Sequence, residues 1–102
     1  MFPTADQIAI ALVAAARALN EDPIAVARGV AGVRSRHVAL GALVAAFPDA
    51  RRVGLARCLG YPTPPSAQAA VIHAKKARWW NELLVDEIVG ALVAEQYGDR
   101  AA

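Results

Sequence analysis

The sequence is short of the residues that staple, ligate and catalyse. Cysteine occurs once, at Cys58, so no internal disulfide can form, as expected of a chain in a reducing cytoplasm. Its place beside Leu59 predicts a buried structural thiol rather than a nucleophile. Histidine occurs only as His37 and His73, on different predicted helices. Neither has a second histidine at metal-ligand spacing, and no metal role is expected. Asp86 and Glu87 are adjacent on a predicted helix, point in different directions and make a poor acid–base pair. An enzyme needs convergent groups; the chain offers few, so no catalytic residue and no cofactor are expected. Aromatic residues make up only 6% of a chain that is 57% hydrophobic. The apolar content is therefore mostly Ala, Val and Leu, and alanine and leucine are strong helix formers. No Asn-Gly or Asp-Gly hairpin signal occurs, and no run alternates strictly between apolar and polar. The expected fold is all-α, a single domain over residues 1–102 with five to six helices.

Long apolar runs are also scarce. IAIALVAAARA (8–18) resembles the core of a secretory signal, but no Lys or Arg precedes Arg17 and Asp6 stands where the positive region belongs. The run is too short to span a bilayer. It reads as a core helix of a cytoplasmic protein with no membrane contact.

Capping signals divide the chain. Thr4 and Gln7 have capping-box spacing ahead of a first helix with Ile8, Leu12, Ala15 and Leu19 on one face. Asn20-Glu21-Asp22-Pro23 ends it and opens a short second helix, with Asp22 as cap and Pro23 in the first position, stopping near Gly32. Ser35 caps a third helix running to about Phe47, with Val38, Ala42 and Ala46 buried. Pro48 breaks it, and Asp49 opens a fourth helix whose dipole it complements. Val53, Ala56 and Leu59 are expected to face inward there, and Gly60 to sit just past the helix end. Tyr61-Pro62-Thr63-Pro64-Pro65 excludes a continuous helix. A fifth helix starts at Pro64 to Ser66 and turns Ala70, Val71 and Ala74 inward. Trp79-Trp80-Asn81 marks a bend, with one tryptophan expected in the core. A final helix spans 82–97, with Leu84, Ile88 and Leu92 on one face and Val85, Val89 and Val93 broadening it. Residues 82–102 either close the core or meet a partner.

Charge is distributed unevenly. Residues 1–27 carry a net −2, residues 28–78 carry +8 and residues 79–102 carry −4. A basic centre of this kind suits a polyanion. The stretch LARCLGYPTPPSAQAAVIHAKK (55–76) has the order of a helix-turn-helix: a scaffold helix with the small Ala56, a turn at Gly60, then a second helix. On that second helix Gln68 can make paired hydrogen bonds to adenine. Thr63 and Ser66 can reach base edges or phosphate. Lys75, Lys76 and Arg78 would lie against a DNA backbone. Arg51 and Arg52 flank the start of the scaffold helix, where free N–H groups favour phosphate.

Three segments carry a family resemblance. They are Arg36-His37-Val38-Ala39-Leu40, then Val53-Gly54-Leu55-Ala56-Arg57-Cys58-Leu59-Gly60, then Val71-Ile72-His73-Ala74 followed by the lysine pair. In order and spacing the region 34–76 resembles the C-terminal DNA-binding domain of the bacterial replication initiator DnaA. That family carries an Arg-Gln-Ile/Val-Ala-Met helix, a Leu-Pro-Glu-Ile-Gly-x-x-Phe-Gly helix and an Asp-His-Thr-Thr-Val-Leu-His-Ala helix. The resemblance implies a helix-turn-helix fold and duplex DNA as partner. In the family a basic residue ahead of the third of its helices enters the minor groove, and Arg34-Ser35-Arg36 stands at the matching place. Arginine suits a narrow, electronegative minor groove; either Arg34 or Arg36 can fill the role. The Asp-His-Thr-Thr signature is absent, replaced by the longer Tyr61 to Ala70, so the initiator's target sequence is not implied. No Walker A loop occurs either. Stand-alone proteins with such a domain include transcription activators of gene transfer agents in alphaproteobacteria, where a second part engages RNA polymerase. The Ala/Val/Arg-rich composition fits such a source.

The expected function is therefore sequence-specific DNA binding in transcription regulation, most simply activation, by a nucleoid-associated protein without enzymatic activity. The alternative is a helical adapter without DNA binding. Its contact surface, for a second copy or another protein, would be the 82–97 helix.

Overall fold

The computed structural model describes residues 2–28, 33–61, 69 and 71–101, and these form helices joined by turns. Helix α1 (Ala5–Ala18) opens on the expected capping box. Thr4 Oγ1 accepts the Gln7 N–H at 3.2 Å, and Gln7 Oε1 accepts the Thr4 N–H at 2.8 Å. It ends in a Schellman motif built on Asn20, whose φ is 58°. The Glu21 N–H donates to the Ala16 carbonyl at 2.8 Å and the Asn20 N–H to that of Arg17 at 3.3 Å. Helix α2 (Pro23–Ala27) follows at once, with Asp22 Oδ1 accepting the Ile24 N–H at 3.0 Å. It stops at Ala27, with Arg28 at its C-cap, short of the expected end; Gly32 lies outside the described residues.

Helix α3 (Val33–Ala46) starts two residues before Ser35, so Ser35 is not its cap. Ser35 is fully buried inside the first turn, and both its N–H (3.1 Å) and its hydroxyl donate to Glu21 Oε1. The cap of α3 is thus a carboxylate delivered from the turn after α1. It places negative charge at the positive end of the α3 dipole. Val38, Ala39, Leu40, Ala42 and Leu43 are buried, a broader face than the expected stripe, while Ala46 is half-buried.

Phe47 is buried, and its carbonyl accepts the Ala50 N–H at 3.1 Å across Pro48-Asp49. That turn uses up Asp49, so helix α4 (Arg52–Cys58) begins three residues later than expected, with Arg51 at its cap and no side-chain cap bond. Leu55, Ala56 and Leu59 are buried; Val53 (40% exposed) and Cys58 face outward, contrary to expectation. A seven-residue helix touching α3 along one edge buries only that narrow stripe. Gly60, at φ +83°, ends it in a second Schellman motif. Here the Tyr61 and Gly60 N–H groups reach the Ala56 and Arg57 carbonyls, each at 3.0 Å.

Residues 71–74 are helical, with Ala74 buried and Val71 half-buried. The bonds then tighten: Lys76 donates to His73 (3.2 Å), Ala77 to Ala74 (2.9 Å) and Trp80 to Ala77 (3.1 Å), each three residues back. The bend at Trp79-Trp80-Asn81 is present. Asn81 caps helix α5 (Glu82–Ala101) by accepting the Leu83 N–H at 3.0 Å. Leu84, Val85, Ile88 and Leu92 of α5 are buried, and Val93 faces out. Helices α1, α3 and α5 pack against one another, α2 adds to α1, and α4 to α3. The last helix therefore closes the core. Both tryptophans are half-buried; the Trp80 ring lies on α3 at Gly41, where a Cβ would sit 3.2 Å from its Cη2.

Candidate nucleic-acid interface

The basic residues predicted to meet DNA are carried by three places in this frame. The first turn of α3 holds Arg34 and Arg36, fixed from below by the Glu21–Ser35 contact. The Arg34 guanidinium stands 5.4 Å from the centroid of the Trp79 ring, within cation–π range. Trp79 directly follows Arg78, so Arg34 is brought beside the turn that carries the exposed Lys75, Lys76 and Arg78. The lysines lie not on a continuous helix, as expected, but mainly in the tightened turn after Ala74.

Arg36 is half-buried and leans the other way. Its Nη1 lies 3.7 Å from where a Cβ on Gly60 would be, and its Nε is buried without a hydrogen-bond partner. Beside it His37 Nδ1 and the Tyr61 hydroxyl are 2.6 Å apart, and their rings stack with centroids 5.8 Å apart and 22° between planes. Burial, and then the Arg36 charge, hold the His37 pKa below its ordinary value. Burial lifts the Tyr61 hydroxyl to about 12 against the pull of Arg36. A neutral His37 then accepts the Tyr61 O–H at Nδ1 and keeps its proton on Nε2. This contact fixes the start of the segment after Gly60 against the first turn of α3.

Arg51 and Arg52 sit at the opposite end of α4, about 10 Å along its axis from Cys58. Both are exposed, and two positive charges at the positive end of a helix oppose its dipole. Thr63, Ser66 and Gln68 lie outside the described residues. His73 is exposed. Among the described residues no group of three or more His, Cys, Asp or Glu is placed to hold a metal ion, and no helix is long and apolar enough to cross a membrane.

The sequence alone pairs neither His37 with Tyr61 nor Arg34 with Trp79. The only signal for either was a run of polar and aromatic residues at predicted helix ends. No protein-family model matches this chain, and no curated protein or solved structure matches it.

Proposed function

We propose that the protein binds duplex DNA and acts as a transcription regulator, an activator in the simplest form, working beside a partner that engages the transcription machinery. One observation carries the reading: Arg34 and the Lys75–Arg78 turn, distant in sequence, share one place through Trp79. The resemblance of 34–76 to the initiator's DNA-binding domain supports it. In this reading Lys75, Lys76, Arg78, Arg51 and Arg52 contact phosphates. Arg34 or Arg36 enters the minor groove, and Thr63, Ser66 and Gln68 face the bases.

The test is binding of genomic fragments selected in vitro at two salt concentrations, followed by anisotropy on the selected duplex. A shared motif that survives the higher salt is expected. Replacing Lys75, Lys76 and Arg78 together by Ala should reduce the slope of log K against log salt by about 2–3. Gln68→Ala should weaken the selected site by about 1–3 kcal/mol and leave random DNA nearly untouched. Equal losses on both duplexes would refute base reading, and no binding at either salt would refute the function.

A further inference from the structure

The buried face of α1 packs on α2, α3 and α5, and Ile10 and Ala14 touch the core at its margin; these two belong to an outer stripe of six residues with Asp6, Ala9, Val13 and Arg17. At 100° per residue these six fall within one face. Asp6, Ala9 and Arg17 are exposed, and Ile10, Val13 and Ala14 are half-buried. All but Asp6 line a shallow apolar groove of about 340 Å³. A second groove of about 490 Å³ adjoins it at Ala14 and Arg17 and is walled by Leu84 and Glu87 of α5.

The order of the six residues is self-complementary. If two copies of α1 run antiparallel across a two-fold axis midway between Ala11 and Leu12, Asp6 of one meets Arg17 of the other. Ala9 then meets Ala14, and Ile10 meets Val13. Each pair is matched twice, as an isologous interface requires. The alanines allow helix axes to approach at the close end of the usual 8–10 Å range. Asp6 and Arg17 also complement the α1 dipole, so antiparallel pairing sets opposite dipole ends together. From this match we infer that the α1 stripe is the seat of a homodimer, its occupant a second copy of this chain.

A single helix pair is small beside the 1,200–2,000 Å² typical of stable complexes. The dimer is therefore a weak one, extended by the groove that Leu84 and Glu87 wall. No residue that lines either groove belongs to α3, the helix that carries Arg34 and Arg36. On the proposed DNA-binding function, a two-fold dimer would present two such surfaces and prefer an inverted repeat.

The test needs no DNA. Sedimentation equilibrium of the full chain should show a monomer–dimer equilibrium at micromolar concentrations. Asp6→Arg and Arg17→Asp, each alone, put two like-charge pairs in every interface and should weaken dimerisation about tenfold or more. Mixed in equal amounts, the two variants are complementary at both pairs and should form a heterodimer. The double variant D6R/R17D should dimerise as the parent does. Circular dichroism of each variant separates lost pairing from lost folding. A folded parent that stays monomeric would overturn the inference, as would single variants that dimerise like the parent or fail to associate on mixing. A parent that dimerises but selects no DNA would leave the dimer standing and remove the DNA-binding function.

Discussion

The Glu21–Ser35 contact can be broken from either side, and the two cuts have different costs. Ser35 is fully buried, and both its donors converge on Glu21 Oε1. Ser35→Ala removes the hydroxyl but leaves the backbone N–H on the carboxylate. A hydrogen bond to a charged group is worth about 1.5–3 kcal/mol, and alanine returns about 0.5 kcal/mol in helix propensity. The net loss is about 1–2.5 kcal/mol, which for a domain of this size lowers the melting temperature by about 5–15 °C. Glu21→Ala leaves two buried donors unpaired and also strips α3 of its only described cap, so about 2–4 kcal/mol is expected. Glu21→Gln keeps an acceptor without the charge and should fall between. Urea unfolding followed by circular dichroism measures all three. In the double variant the losses should fall short of additivity by about 1–2 kcal/mol. Native-state hydrogen exchange should show protection lost first in the opening turn of α3. Ser35→Ala within 0.5 kcal/mol of the parent, or full additivity in the double variant, would refute the argument that this carboxylate holds the helix start.

Two further perturbations follow from the turn after α4. Gly60 has φ +83°, a region that costs an L-residue about 1–2 kcal/mol, so Gly60→Ala should lower the urea midpoint with the slope unchanged. His37 titrates below its ordinary 6.5 in the fold, because of burial and then Arg36. The unfolded chain therefore takes up a proton that the folded chain refuses. Stability should fall as pH drops from 6.5 toward the lower folded value, level off below it, and show no His37 contribution well above 6.5. Thermal melts of the parent and His37→Gln across that window should differ in slope, the variant being flatter; parallel curves would refute the assignment.

The readable parts of the fold were the ones decided by neighbours in sequence. Thr4 and Gln7, Asp22 and Pro23, and Gly60 act within four residues of themselves, so their types and spacing state their roles. The core stripe of α5 was equally plain, since Leu84, Ile88 and Leu92 repeat at helical period. Ser35 misled because a serine ahead of an apolar run has the same appearance whether it caps a helix or receives a cap. What decides is Glu21, fourteen residues away, and no local rule connects them. Asp49 misled for a related reason. Pro48-Asp49 satisfies a turn as well as a helix start, and the buried Phe47 holds the turn in place.

The candidate site divides along the same line. That the centre of the chain is basic is a matter of counting, and the count survives folding. Which cations stand together is a matter of packing. Arg34 and Arg36 are two residues apart, yet one lies beside Trp79 and the other beside Gly60, because positions two apart on a helix point about 200° apart. In sequence, the residues proposed to read bases lie between Gly60 and Trp79. The same first turn of α3 is fixed on its other side by Glu21. A change at Glu21 is thus expected to reach DNA affinity without touching DNA. Glu21→Gln should weaken binding to the selected site in proportion to the protection lost in that turn, while its unfolding remains cooperative. Unchanged affinity in a variant with a frayed α3 start would mean that Arg34 and Arg36 do not need their helix to reach DNA. The phosphate contacts of Lys75, Lys76 and Arg78 would then carry the binding.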